Sequence, residues 1–84
     1  MITLNEVVNN IEMQAEIFDI DMWDDNTGDY CDRIGFDMDG TGKLWDILPI
    51  LSRDYSEWLS HSVTYIENLT DCGRKLVKIE VSKY

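Results

Sequence analysis

Residues that build metal centres and nucleophilic relays are scarce in this chain, which holds one histidine, His61, and two cysteines, Cys31 and Cys72, in 84 residues. A single histidine excludes clusters of imidazole ligands. Any Cys–His or Ser–His relay would have to run through that residue, with no glycine-rich oxyanion turn to mark it. The cysteines lack Cys-x-x-Cys spacing, which suits neither a zinc site nor a disulfide framework. Reduced thiols are the expectation, with one Cys31–Cys72 bridge as the alternative. Bases are few as well: 7 Lys and Arg stand against 17 Asp and Glu, for a formal net charge of -10. Such a charge repels phosphate backbones and anionic lipid, which argues against direct binding of nucleic acid or a membrane surface and favours a cationic partner. The longest apolar run, Ile47 to Leu51, falls far short of the roughly 20 residues of a spanning helix. No basic segment followed by an apolar stretch follows Met1, so a soluble, cytoplasmic protein is expected. Proline occurs once and glycine 5 times, while hydrophobic residues make up 44% and aromatics 11%. That composition folds rather than staying disordered, and its length supports one domain over residues 1–84.

Thr3-x-x-Glu6 has the form of a capping box, with Ile2 and Val7 as the accompanying staple. Leu4, Val7, Val8 and Ile11 then recur at helical spacing and predict a helix over about residues 4–13. A heptad continues formally to Met22. However, Ile17 to Trp23 is rich in branched and aromatic residues and alternates from Phe18 onward, which predicts a strand instead. Asp24 to Asp29 is a run of turn formers, after which Tyr30, Ile34, Phe36 and Met38 occupy even positions. The result is a hairpin. Matching apolar side chains sets Phe18 opposite Phe36 and Ile20 opposite Ile34, leaving Asp19, Asp21, Trp23, Cys31, Arg33 and Asp37 on the outward face. In that register Asp32 falls on the Met22 side and is expected to be partly covered.

Asp39 to Gly42 reads as a second turn, and Leu44, Ile47, Leu48 and Leu51 resume helical spacing. Pro49 predicts a short helix over 43–48 with a break behind it, and Ser52 is placed to cap a second one that buries Tyr55, Trp58 and Leu59. Residues 63–69 and 76–81 read as a second hairpin, turning at Asp71-Cys72-Gly73-Arg74, with Val77, Ile79 and Val81 inward. The expected fold is α+β, in the order α-β-β-α-β-β: an antiparallel sheet of two hairpins, an N-terminal helix and a central short helical segment on one side.

Phe36-Asp37-Met38-Asp39-Gly40-Thr41-Gly42-Lys43-Leu44 resembles the first eight positions of an EF-hand loop. The resemblance implies calcium ligation by Asp37, Asp39 and Thr41, with Gly42 at the sharp turn. The twelfth position, a glutamate in that family, is Leu48 here, and the entering segment alternates as a strand does. The string Ile34 to Thr41 also resembles the first motif of haloacid-dehalogenase-type phosphatases, with Asp37 as nucleophile and Asp39 as acid and base. That chemistry needs a parallel sheet and a further acidic pair for magnesium, which this length does not supply. A strand-turn-helix junction explains both strings, so no metal, no cofactor and no catalytic residue is expected, and a weak calcium-binding module stays as an alternative.

Charge distribution carries more than any motif. Nine acids and one base, Arg33, lie between Glu16 and Asp39, whereas Arg74, Lys75, Lys78 and Lys83 gather in the last hairpin. A solvated face is the plain reading. Yet aspartate is a poor strand residue, and like charges packed within a Debye length of roughly 10 Å oppose folding, so a use for the field is expected. Carboxylates along a hairpin can imitate a line of phosphates, with an aromatic anchor beside them. The expected partner-binding set is Asp19, Asp21, Trp23, Asp24, Asp25, Asp29, Tyr30, Asp37 and Asp39. In size and acidity the chain is similar to the small inhibitors that phages and mobile elements direct against restriction or CRISPR nucleases, and equally to immunity proteins. The expectation is a non-enzymatic inhibitor or adaptor that binds the basic surface of a nucleic-acid-processing protein, with a structural or assembly role as a further alternative.

Overall fold

The computed structural model describes residues 2–84. Thr3 caps the first helix, α1 (Leu4–Asn10), through the expected box: its Oγ1 accepts the Glu6 amide at 3.2 Å, and the Glu6 carboxylate accepts the Thr3 amide at 3.2 Å. The helix ends earlier than its apolar periodicity predicts, because Ile11 is already extended at φ -98°, ψ 122°. Asn9 and Asn10 are weak helix formers, and Met13 is drawn into the sheet end by accepting the Leu44 amide at 2.9 Å. Ile11 and Met13 still pack against the core, but from extended backbone.

Four strands follow: β1 (Gln14–Asp24), β2 (Asp29–Lys43), β3 (Val63–Asp71) and β4 (Arg74–Ser82). Between β2 and β3 the chain runs through a 3-10 turn at Leu44–Ile47, the helix α2 (Leu48–Asp54) and a second 3-10 turn at Ser56–Ser60. Both hairpins are present, and Phe18 does face Phe36 and Ile20 does face Ile34. The sheet order is β2-β1-β4-β3. One feature differs from the expectation: β1 and β4 pair parallel, from Ile17–Leu76 to Trp23–Ser82, so the sheet is mixed rather than wholly antiparallel. The helical crossover carries the chain from one sheet edge to the other, which leaves the first strand of one hairpin beside the second strand of the other.

Pro49 does not break the central helix. It lies in the first turn of α2, where a missing N–H costs nothing, so the 3-10 turn before it passes directly into the helix. Ser52 therefore sits inside α2 rather than capping a later helix, and Tyr55 precedes the last 3-10 turn. Nor is Asp39 to Gly42 a terminal turn. Ile17 pairs with Asp37 and Ala15 with Gly42, so Met38 to Thr41 bulge out of β2, which then resumes to Lys43. Asp39 at φ 52° and Gly40 at φ 119° accommodate that bulge.

One face of the sheet is covered. Phe18, Ile20, Ile34, Phe36, Val77, Ile79 and Val81 meet Leu4, Val7, Val8, Leu44, Ile47, Leu51 and Trp58, and all of these are buried. Each such aliphatic or aromatic side chain contributes about 1.5–3 kcal/mol on leaving water. His61 ties this layer to the sheet end, its Nδ1 donating to the Ser82 carbonyl at 2.7 Å. No helix among the described residues is long and apolar enough to cross a membrane.

Candidate functional site

Among the described residues no helix lies over the second face of the sheet, and register fixes which side chains it carries. Asp19, Asp21 and Trp23 of β1 stand beside Lys78, Glu80 and Ser82 of β4 and opposite Gly35, Arg33 and Tyr30 of β2. A bulge between Met22 and Trp23 shifts the pairing by one residue, with Cys31 as the extra one. Tyr30 consequently leaves the apolar face predicted by its even number and stacks on Trp23, with ring centroids 4.0 Å apart. Lys78 Nζ lies 5.3 Å and Arg33 Cζ 5.7 Å from the centre of the Tyr30 ring. Trp23 Nε1 donates to Glu80 at 2.8 Å.

Asp21, expected outward and accessible, is outward yet completely covered. Its Oδ1 accepts from Arg33 Nε at 2.6 Å, and its Oδ2 is 3.7 Å from Lys78 Nζ. Asp19, with 19% of its side chain exposed, lies 3.7 Å from the same Arg33 nitrogen. Burial raises the Asp19 carboxyl above its ordinary range, and the neighbouring Asp21 charge adds to this, while Arg33 and Lys78 oppose it. A side-chain bond to Tyr30 stabilises the Lys78 ammonium against its own desolvation. The long side chains of Arg33 and Lys78, with the Tyr30 ring, remove Asp21 from contact with any partner and leave little of Asp19 exposed. Two of the three carboxylates expected to lead binding are thus internal counter-ions.

The third, Asp37, is exposed but occupied. Arg74 Nη1 and Nη2 reach its two oxygens at 3.1 and 2.8 Å, and Arg74 Nε reaches Glu16 at 3.2 Å. Those bonds, with the Asp39 amide at 3.1 Å, hold the Asp37 carboxyl below its usual range. The carboxylate of the EF-hand-like and phosphatase-like strings is therefore committed to a guanidinium, on an edge strand whose one partner is antiparallel. No three His, Cys, Asp or Glu side chains among the described residues converge as a metal site would require.

At the tip of the first hairpin the acids are freer. Partial burial pushes Asp24 up, but the Asn26 amide at 2.9 Å and Lys83 at 3.6 Å outweigh it and hold its carboxyl low. Asp25 accepts from the Ser82 hydroxyl and is exposed, as are Asp29 and Asp32. Asp32 was expected to be partly covered. It lies opposite Met22 on the outer edge strand, next to the Cys31 bulge near the tip, and its Oδ1 accepts the Arg33 amide at 2.8 Å. The nine expected residues thus divide into three places: Trp23, Asp24, Asp25, Asp29 and Tyr30 at the tip, Asp19 and Asp21 in the covered network, and Asp37 and Asp39 towards the far end of β2.

Arg33, placed outward by the expected register, does stand opposite Asp21, whereas Lys78, Arg74 and Glu80 complete these arrangements without having been expected there. The inward Val77 and Ile79 do imply an outward Lys78. Placing it beside Asp21, however, requires the parallel pairing of β1 with β4, for which no local pattern exists. Cys31 and Cys72 are both free and exposed. Cys31 sits by the tip, whereas Cys72 turns the second hairpin at the opposite end of the sheet, so the two cannot bridge within one chain. No protein-family model, curated protein or solved structure matches the chain.

Proposed function

We propose that this protein is a non-enzymatic inhibitor or adaptor that docks its hairpin tip on the basic surface of a nucleic-acid-processing protein. The observation that carries the reading is the tip itself. Asp25, Asp29 and Asp32 expose carboxylates that no lysine or arginine side chain pairs among the described residues. The Trp23–Tyr30 stack stands next to them, with Tyr30 42% exposed. Unpaired carboxylates attract a cationic surface at long range, and a rigid aromatic pair supplies contact area once the surfaces meet. Asp19, Asp21 and Asp37 drop out of the contact set because Arg33, Lys78 and Arg74 hold them. The reading needs no cofactor and no membrane.

The test is capture on immobilised protein from a cell lysate, with duplex DNA as competitor. Wild type is compared with Asp25→Asn/Asp29→Asn/Asp32→Asn and with Glu12→Gln/Asp54→Asn/Glu57→Gln, which removes equal charge elsewhere. A nucleic-acid-binding protein kept by wild type and by the control triplet, lost with the tip triplet and displaced by DNA, supports the reading. Equal loss with both triplets shows bulk charge only, and full retention by the tip triplet shows that the tip is not the contact; either overturns it.

A further inference from the structure

A second interaction surface lies on the other edge of the sheet, away from the acidic tip. The two edges are built differently. β2 is broken by bulges at Cys31 and at Met38–Thr41 and carries Asp29, Asp32, Asp37 and Asp39, all of which discourage another strand from pairing with it. β3 is irregular only at its start, between Val63 and Tyr65, and from Tyr65 to Asp71 it pairs with β4 without interruption. On its outer side the first residues already have a neighbour. Thr3 bridges Ser62 in antiparallel fashion, and the Val63 amide donates to the Ile2 carbonyl at 2.8 Å. Beyond Val63 no strand of the described residues continues that pairing.

Side chains along this open stretch specify what would fit. Tyr65, Glu67, Leu69 and Asp71 share the uncovered face, and Tyr65 and Leu69 are 45% and 39% exposed. Neither Glu67 nor Asp71 forms an ion pair among the described residues. On the helix side an apolar groove of about 230 Å³ opens at the start of the same strand, lined by Ile2, Val7, Ile11 and Val63, and reaches Tyr65 and Ile66 of the open stretch. A second copy is a poor occupant: antiparallel pairing about Asn68, the middle of the open stretch, sets Asp71 against Tyr65 and Glu67 against Leu69, so neither acid meets a base, and it joins chains that each carry a charge of -10.

We propose that the Tyr65–Asp71 edge is a strand-addition site for an extended segment of another protein, with basic side chains on the uncovered face and apolar ones on the helix face. Backbone hydrogen bonds would supply affinity, while Glu67, Asp71 and the groove select the alternation. This surface is independent of the hairpin tip, and the two together would let one small domain hold two basic partners, or one partner at two points.

The probe is a short peptide alternating lysine and valine, compared with the same peptide fully N-methylated, which keeps charge and side chains but cannot donate from its backbone. By calorimetry the N-methylated form is expected to bind at least about tenfold more weakly, the loss of a few net hydrogen bonds. Hydrogen exchange should slow at amides within Tyr65–Asp71, and Glu67→Lys/Asp71→Lys should weaken binding more than Asp25→Lys/Asp29→Lys. Equal affinity for the two peptides, or protection confined to the tip, overturns the proposal. Protection of Tyr65–Asp71 that grows with protein concentration in the absence of peptide overturns it in favour of a second copy.

Discussion

Arg33 Nε and Asp21 Oδ1 are 2.6 Å apart, and although the arginine side chain is 60% exposed, the aspartate side chain is wholly covered. The pair is therefore unsymmetrical in what its loss would cost. Removing the arginine takes away the one close hydrogen bond of a buried charge and leaves it only Lys78, at 3.7 Å, which is among the more damaging single changes. Arg33→Ala is expected to lower the melting temperature by at least about 5 °C. Arg53 faces its chain neighbour Asp54 at 2.9 Å with both groups exposed, so Arg53→Ala should move it by no more than about 2 °C. Thermal unfolding followed by circular dichroism measures both, and equal shifts would show that Asp21 does not depend on Arg33.

The Asp19 carboxyl titrates above its ordinary range because burial and Asp21 disfavour its charge. Its native form thus holds a proton more tightly than the unfolded form. From this group stability falls as pH rises from the ordinary carboxylate value, near 3.8, through the higher native one. Asp24 and Asp37 act in the opposite sense, since their lowered values give stability that is lost on acidification. Asp19→Asn should raise the melting temperature at neutral pH by a few degrees, with the gain vanishing at acid pH. A gain that is the same at both ends of the pH range would contradict this assignment.

Cys72 and Gly73 form the two-residue turn between β3 and β4 with φ of 52° and 79°. Positive φ at both central positions defines a type I′ turn, whose preferred sequence is Asn-Gly. Cys72→Asn should therefore stabilise the protein, by a few degrees. Gly73→Ala should cost about 1–2 kcal/mol from backbone strain alone, because an added Cβ would meet nothing within 4 Å. Chemical denaturation of the two variants separates these effects.

Both thiols are exposed and at opposite ends of the sheet. Native protein should react with two equivalents of a thiol reagent without prior reduction. A single equivalent, or none, would mean that chains are joined to one another or that the ends of the sheet are not where the register puts them.

What the sequence discloses here follows its periodicity. Alternation from Phe18 and at Ile34–Phe36 locates the first hairpin and its register, because side chains of one face must share one environment. The capping box locates α1. Three features escape such reading. Tyr30 changes face through one inserted residue, Cys31, which shifts the tip-side positions Tyr30 and Asp29 by one relative to the register of Ile34 and Phe36. Pro49 looks like a break from local chemistry alone, but a proline is equally at home in the first turn of a helix, and only the fold decides between the two. The acids of β1 look solvent-facing because alternation tells which face they take and not how deeply they are covered: Arg33 is in place opposite Asp21, but Lys78, which completes the cover, arrives from the far end of the chain. Of the expected binding set, Asp25, Asp29 and Tyr30 at the tip remain accessible, Asp19 and Asp21 are covered, and Asp37 is exposed but held by Arg74.

The parallel seam between β1 and β4 has a kinetic consequence. Each hairpin closes between residues near one another in the chain, whereas the seam joins Ile17 to Leu76 and Trp23 to Ser82, each pair 59 residues apart. Loop-closure entropy makes such contacts late ones, and a two-stranded hairpin alone is at best marginal in water. The seam is thus where two weak halves become one cooperative unit. A lesion in either hairpin is paid for by the whole sheet, and the covered network of Asp21, Arg33 and Lys78, which spans the seam, reports on whether that union has been made.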